Sequence, residues 1–285
     1  MQKIWVCGAR GQIGQAVNDV VDKLEFEMLD TDVDDLDVTD TDEVLRFGEM
    51  NRPDIIINCS GMTDISSCEE NPLQAFKVNA LGARNLAIVA AKMQAKMVQL
   101  STGDVFDGKS TEPYTEFDIT NPGTVYGKSK LAGENYVKEF TTKHFIVRST
   151  WVYGKGQNFI NGFLKKVDAG EQLSIASDQF GSPTSANELA RFLLHLVHTS
   201  EYGTYHATNK GVCSRYAFAQ EILKMTGKTA SMQPVPTVMS DFSKVRPAYA
   251  VLDNFIMSMV PIYDFPDWQD SLREYLEERG LYHAE

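Results

Sequence analysis

The sequence predicts an α/β fold, a Rossmann-type doubly wound parallel sheet with a smaller C-terminal substrate-binding region. Three observations predict it. The glycine-rich run Gly8-Ala9-Arg10-Gly11-Gln12-Ile13-Gly14 follows a strand-like Ile4-Trp5-Val6-Cys7 and precedes Val17, Val20, Val21 and Leu24, an apolar stripe at helical spacing. Strand-like and helix-like segments then alternate through the first half, the pattern of parallel strands joined by crossover helices. Finally, Ile55-Ile56-Ile57-Asn58-Cys59 is almost continuously apolar, as expected of a strand covered on both faces.

The elements follow in order. Glycines in the first turn let backbone approach a pyrophosphate, and the helix behind them offers N–H groups and a positive dipole end. Phe26–Asp30 reads as the second strand and Ile55–Cys59 as the third. A long helix comes next, with Leu73, Phe76, Ala80, Ala83, Ala87 and Ala90 as its inward face. Met97–Leu100 is a fourth strand, Tyr126–Phe140 a helix and Phe145–Val147 a fifth strand. Beyond a change of pattern near Thr150 the chain is less regular. Helices are expected over Ala186–Val197, around Phe218, Ile222 and Met225, and around Trp268, Leu272, Tyr275 and Leu276. Gln233–Pro247 holds three prolines and no periodicity, and reads as a loop. Residues 1–150 are thus expected to bind a dinucleotide. Residues 151–285 are expected to bind mainly substrate, with some segments packing back on the first part.

Bulk properties narrow the function classes. The 285 residues carry a net charge of −12, with a pI near 4.9, which argues against general affinity for nucleic acid or anionic membrane. No apolar run approaches a membrane span, and the chain opens directly on a strand rather than on a signal peptide. Cys7, Cys59, Cys68 and Cys213 show no metal-binding or C-x-x-C spacing, so no metal is expected and a reducing cytoplasm is the simplest compartment.

The chemistry centres on one helix. Tyr126 and Lys130 are four residues apart and project from the same face. An ammonium near a phenol lowers its pKa and makes it a usable acid or base. The hydroxyl pair Ser101-Thr102 ends the fourth strand, at the carboxyl edge where such sheets bind ligands.

These residues resemble the extended short-chain dehydrogenase/reductases and, more narrowly, the dTDP-4-dehydrorhamnose reductase family. The resemblance runs over nearly the whole chain. It includes Gly8–Gly14, Leu36-Asp37-Val38-Thr39-Asp40, Asn58-Cys59-Ser60-Gly61, Val105-Phe106-Asp107-Gly108 and Tyr126-Gly127-Lys128-Ser129-Lys130. It continues through Arg148–Gly154, Asn158-Phe159, Asp178-Gln179-Phe180-Gly181-Ser182-Pro183-Thr184 and Arg246-Pro247. It implies reduction of the C4 ketone of a nucleotide-bound 6-deoxyhexose, for rhamnose and cell-surface polysaccharide synthesis. Thr102 would polarise the ketone, Tyr126 would protonate its oxygen, and Lys130 would hold the nicotinamide ribose. Gly8, Arg10, Gly11, Gln12, Ile13, Gly14, Val38, Cys59, Ser60, Gly61 and Asn79 fall at cofactor-binding positions. Asn79 reads equally well as a helix-to-loop bracket. Asp104, Trp151, Asn158, Gln179, Pro183, Thr184 and Arg246 fall on the substrate side, with Arg246 near the diphosphate. Core packing is the alternative reading for Trp151, and a solvated surface position for Arg246. A homodimer is compatible with the family pattern.

The family usually has Asp-Tyr after the threonine, where this chain has Gly103-Asp104, and Val-Asp-x-x-Glu where it has Ile65-Ser66-Ser67-Cys68-Glu69. The contacts that select the sugar are therefore partly changed. Two other functions compete. A dehydratase or epimerase of the superfamily is opposed by the missing Asp-Glu pair after Thr102. A non-catalytic NAD(P)-binding regulatory subunit is opposed by the complete Thr102, Tyr126 and Lys130 set.

Asp30 or Asp32 closes the second strand, where a carboxylate binds the adenosine ribose hydroxyls and repels a 2′-phosphate. That favours NADH. Arg10, able to reach a 2′-phosphate, argues for NADPH. Asp37 resembles the family residue beside the adenine, and reads equally as the N-cap of the next helix.

Overall fold

A computed structural model describes residues 1–239 and 246–283. The first half lays down β1 (Gln2–Cys7), α1 (Gln12–Val20), β2 (Phe26–Thr31), α2 (Thr41–Asn51), β3 (Ile55–Asn58) and α3 (Ile65–Glu70). A long helix follows as α4 (Pro72–Phe76), a π-helical turn (Lys77–Gly82) and α5 (Ala83–Met93). Then come β4 (Lys96–Thr102), α6 (Val125–Phe140) and β5 (His144–Ser149). The second half is built from short pieces: β6 (Val152–Tyr153), α7 (Phe159–Asp168), β7 (Leu173–Ala176), β8 (Phe180–Gly181), β9 (Thr184–Ser185) and α8 (Ala186–Val197). It continues with β10 (Gly203–His206), β11 (Cys213–Ser214), α9 (Arg215–Thr226), β12 (Met232–Val235), β13 (Tyr249–Ala250), α10 (Phe255–Met259) and α11 (Trp268–Glu277).

Six strands form one parallel sheet in the order β10-β5-β4-β3-β1-β2. The order reverses between β1 and β3, and the strand ends there form the crevice that open α/β sheets offer to ligands. One face packs Ile4, Val6, Ile55 and Ile57 against α1 and α8. The other packs Trp5, Ile56 and Met97 against Leu86, Ala87 and Ala90 of α5. Both faces are thus covered, which is why β3 needs isoleucine three times in a row. A separate core of Tyr153, Phe163, Phe218, Trp268 and Leu272 holds the second half together.

Four expectations need correction. α1 ends at Val20, and Leu24 lies beyond it in a turn, 89% exposed. On the long helix Ala80, Ala83, Ala87 and Ala90 are buried, but Leu73 is 72% exposed and Phe76 37%. The π turn adds a residue to one helical turn, so a stripe counted at 3.6 residues from α5 falls out of register in α4. β10, unforeseen, becomes the sixth strand beside β5. The prolines of 233–247 do not prevent a strand either, since β12 pairs with β7 as a two-stranded ribbon, an edge setting that tolerates Pro234. Residues 240–245 of that segment lie outside the described residues. No helix among the described residues is long and apolar enough to cross a membrane.

Candidate active site

The glycine turn is fixed by close backbone approach. Gly8 has φ +76°, and a Cβ there would sit 2.7 Å from Ser60 N. A Cβ on Gly14 would sit 2.3 Å from Gly8 O, so α1 can approach β1 this closely only with glycine. Gly11 caps α1 without a side-chain bond, and no acid lies in the first turn. This end is therefore free to receive phosphate oxygens. Ile13 packs into the core behind the loop. Gln12 donates from Nε2 to Gln157 O at 3.1 Å, and its buried Oε1 has no partner among the described residues.

The ribose edge is acidic. Asp32 Oδ2 accepts from the Arg10 backbone N–H at 2.8 Å. The Arg10 guanidinium donates to Asp34 Oδ2 at 2.7 Å and Asp35 Oδ2 at 2.5 Å. Asp30 is exposed and makes none of these contacts, so of the two acids Asp32 is the one that braces the glycine loop. Asp37 accepts from Thr39 N at 2.9 Å in a local turn. It is not the N-cap of α2. Asp40 is, accepting from Glu43 N at 2.9 Å. Val38 packs beside Leu36 on the α5 side and its carbonyl accepts from Asn85 Nδ2 at 3.0 Å.

Beyond β3, Cys59 N–H donates to Cys7 O at 2.9 Å, and burial pushes its thiol up to about 12. Ser60 Oγ donates to Asn58 Oδ1 at 2.5 Å. Asn79, carried on the π turn, accepts from Met62 N at 2.8 Å and donates to Met62 O and Ser129 Oγ, both at 2.9 Å. Its amide is engaged within the protein as the bracket between helix and loop. That tie holds Gly61 against α6, where a Cβ on Gly61 would lie 3.6 Å from Lys130 Nζ.

Tyr126 and Lys130 sit on α6 as the four-residue spacing requires, both nearly buried. Thr124 caps the helix, accepting from Gly127 N at 3.0 Å, and Glu69 Oε1 accepts from Val125 N at 2.8 Å. A Cβ at Gly127 would fall 2.1 Å from Asp104 O, so glycine there lets Tyr126 come down onto the end of β4. Thr102 lies close enough to the Tyr126 hydroxyl to lower its pKa. Ser101 does not share this role, since its hydroxyl donates to Glu134 Oε1 at 2.5 Å, within the buried Glu134–Arg148 ion pair.

The electrostatics differ from the simple tyrosine–lysine picture. Burial pushes the Tyr126 phenol up to about 12, Asp104 adds to the rise, and Arg246 and Thr102 oppose it. Lys130 is not among the leading influences. It lies further along the helix, where burial brings its ammonium down to about 8 against the pull of Glu134. The phenol is thus protonated across the neutral range, as a proton donor must be.

On the substrate side, Asp104 is 3% exposed. Thr102 Oγ1 donates to its Oδ1 at 3.3 Å, and Arg246 Nη1 lies 3.4 Å from its Oδ2. The half-buried Arg246 is therefore no solvated surface residue. Trp151 takes the left-handed conformation, φ +48°. Its carbonyl accepts from Thr184 N at 3.3 Å, and Gly181 lies against its ring. Thr184, fully buried, follows the buried Pro183 in β9. Asn158 caps α7, accepting from Asn161 N at 3.0 Å, and donates to Gly154 O at 2.7 Å. Gln179 is buried and its carbonyl accepts from Arg215 N at 3.0 Å. Arg215 itself went unnoticed in the sequence, although a cation placed directly before the apolar face of Phe218, Ile222 and Met225 was a visible anomaly. Its guanidinium carbon lies 3.5 Å from the centroid of the Trp151 ring.

Comparison with known proteins decides the family. The model described as RmlD substrate binding domain matches residues 1–280. The chain belongs to this family. A solved dTDP-4-dehydrorhamnose reductase from Clostridium acetobutylicum is 40% identical, with a TM-score of 0.95 over 98% of this chain and 100% of that one. Another, from Bacillus anthracis in complex with NADP, is 35% identical with a TM-score of 0.93 over 98% and 100%. The spore coat polysaccharide biosynthesis protein SpsK of Bacillus subtilis is 35% identical over 98% of this chain and 99% of its own. The fold is that of the Rossmann-like reductases, and the chain is an oxidoreductase.

Proposed function

We propose that the chain reduces the C4 ketone of a nucleotide-bound 6-deoxyhexose, turning dTDP-4-dehydrorhamnose into dTDP-rhamnose. The observation that carries this reading is the meeting of Thr102 and Tyr126 at the end of the central strand β4, with Lys130 further along the same helix beside Gly61. Full-length likeness to reductases of that name supports the substrate. A dehydratase or epimerase reaction, or a purely regulatory role, is not favoured.

The reaction needs a reductant and a proton donor. A reduced nicotinamide, when bound, would supply the hydride for sugar C4. Thr102 donates a hydrogen bond to the ketone oxygen, and Tyr126 gives that oxygen its proton as the C=O electron pair moves onto it. Lys130, charged and beside Gly61, is placed for the ribose hydroxyls. The residues fit the cofactor: Gly8 and Gly14 leave the room that a Cβ would fill, and the uncapped start of α1 can receive the pyrophosphate. On this reading residues 1–150 form the cofactor part and 151–285 mainly the substrate part, with α8 and β10 packed back on the sheet.

Cofactor choice lies between Arg10 and its acidic neighbours. Asp32, Asp34 and Asp35 favour a ribose with free hydroxyls and hence NADH. Arg10 is the cation that a 2′-phosphate would require, already exposed and held by two ion pairs. NADP on the Bacillus anthracis relative weighs toward the phosphorylated form. We read the chain as accepting both, with NADH preferred. Mixing the chain with dTDP-4-dehydrorhamnose and either cofactor tests the function. Loss of reduced-nicotinamide absorbance with formation of dTDP-rhamnose is expected. No oxidation of either cofactor in the presence of this substrate refutes it.

A further inference from the structure

We propose that Arg215 binds the diphosphate of the nucleotide sugar, as a second cation beside Arg246; this rests on the substrate reading above. Arg215 opens α9, directly after its N-cap Ser214, and is 5% exposed. The guanidinium lies 3.5 Å from the Trp151 ring centroid and 4.7 Å from that of Phe159. Among the described residues no carboxylate is within ion-pair distance of it, and its buried Nε has no hydrogen-bond partner.

A buried, unpaired guanidinium is costly. Stacking on two aromatic rings recovers part of that cost, but an uncharged side chain would fill the same space without it. The platform beneath is itself built under strain. Trp151 has φ +48°, a conformation that bulky residues avoid. A Cβ on Gly181 would lie 2.5 Å from Trp151 Cε2, so the tryptophan ring fits only because residue 181 has no side chain.

Charge identifies the missing partner as an anion. Burial and the repulsion of Arg246 pull the Arg215 pKa down to about 9, and Asp104 only partly offsets them. The group stays cationic at neutral pH but lacks a full counterion, and Asp104 is already engaged by Arg246 and Thr102. In a chain of net charge −12, Arg215 shares Asp104 with Arg246, and the nearby carboxylate Asp64 acts on Arg246 rather than on Arg215. The anionic part of a nucleotide-linked neutral sugar is its diphosphate, and the planar guanidinium fork matches phosphate oxygens.

Calorimetric titration with dTDP, UDP and GDP tests this, using the wild-type chain, Arg215→Met and Arg215→Lys. Arg215→Met keeps an apolar stem over Trp151 and removes the charge. Its affinity for the bound nucleoside diphosphate should fall on the order of ten- to a hundredfold. NADPH affinity should hold, and Arg215→Lys should recover part of the loss. Equal affinity in wild type and Arg215→Met overturns the proposal, as does a wild-type chain that binds no nucleoside diphosphate. A second readout does not depend on a variant folding. The Arg215 Nε–Hε NMR resonance of the wild-type chain should move on titration with the nucleoside diphosphate, and a resonance that stays in place at saturation overturns the proposal. Arg215-dependent binding of UDP or GDP without dTDP sustains this inference while removing the dTDP reading.

Discussion

The two edges of the proposed cleft differ in charge and in construction. The cofactor edge is acidic and local. Asp32, Asp34 and Asp35 surround Arg10, and the loop they brace lies within a few residues of two regular strands. The edge proposed for the substrate brings Arg215 and Arg246 toward Asp104 and is assembled from distant pieces. Asp104 follows β4, Trp151 follows β5, Arg215 opens α9, and Arg246 lies just before β13. One edge is set by backbone fit and the other by side-chain charges, so substitutions on the two should fail in different ways.

The largest effect is expected between the edges. Tyr126→Phe keeps the ring and removes the proposed proton donor, and should cost on the order of 10² to 10⁴ in kcat. The dissociation constants of cofactor and nucleotide sugar should hardly move. Steady-state rates with fluorescence titration of the cofactor check this, and near wild-type turnover contradicts it.

On the cofactor edge the vulnerable feature is space. Gly14→Ala places a Cβ 2.3 Å from Gly8 O. Overpacking of this kind costs about 1–3 kcal/mol, which is roughly 5- to 150-fold in cofactor affinity. Binding of dTDP should be spared, and parallel titrations of the two ligands will show whether the damage stays on one edge.

On the substrate edge the vulnerable feature is charge. Asp104 stands where the family presents a tyrosine, and it holds Arg246 and raises the Tyr126 pKa. Asp104→Tyr should lower KM for the dTDP-4-keto sugar more than it changes kcat. Asp104→Asn should move the alkaline limb of the pH profile. The required phenol is protonated below its pKa and lost above it, so removing a neighbouring anion lowers that pKa and brings the fall in rate to lower pH. A limb that stays in place or moves up would show that Asp104 does not act on Tyr126.

The smallest effect is expected at the ribose. Asp32→Asn removes a partly exposed charge, a change worth about 0.2–1 kcal/mol, and should shift the NADH to NADPH ratio of kcat/KM by a few-fold toward NADPH. Asp30→Asn should leave the ratio unchanged, since it is Asp32 and not the exposed Asp30 that accepts from the Arg10 N–H of the glycine loop. Equal shifts in both variants would remove the distinction drawn between these acids.

The contrast between the edges also explains what could be read from the sequence. The tight turn at Gly8 and Gly14 and the shared helix of Tyr126 and Lys130 were legible because those constraints act over one turn or one helix. Ile55–Ile57 was legible because a strand covered on both faces must be apolar throughout. The exposure of Leu73 and Phe76 was not, since one extra residue in the π turn rotates everything before it. β10 was missed because its four residues gain their meaning only from β5, more than fifty positions earlier. The Asp104–Arg246 pair crosses a gap of 142 residues. The resemblance placed Arg246 near the substrate diphosphate, but not in contact with Asp104. Nor could local pattern reveal that burial and Asp104, rather than Lys130, lead the shift of the Tyr126 pKa.

The central claim is hydride delivery to sugar C4 with Tyr126 as the proton source. Single turnover with 4-deuterated NADH or NADPH and dTDP-4-dehydrorhamnose, followed by mass spectrometry and NMR of the sugar, tests it most directly. Deuterium should appear at C4 of the dTDP-rhamnose formed by the wild-type chain, and at a rate lower by two orders of magnitude or more in Tyr126→Phe. Deuterium at another carbon, no transfer by the wild-type chain, or equal transfer rates in the two proteins would contradict the account.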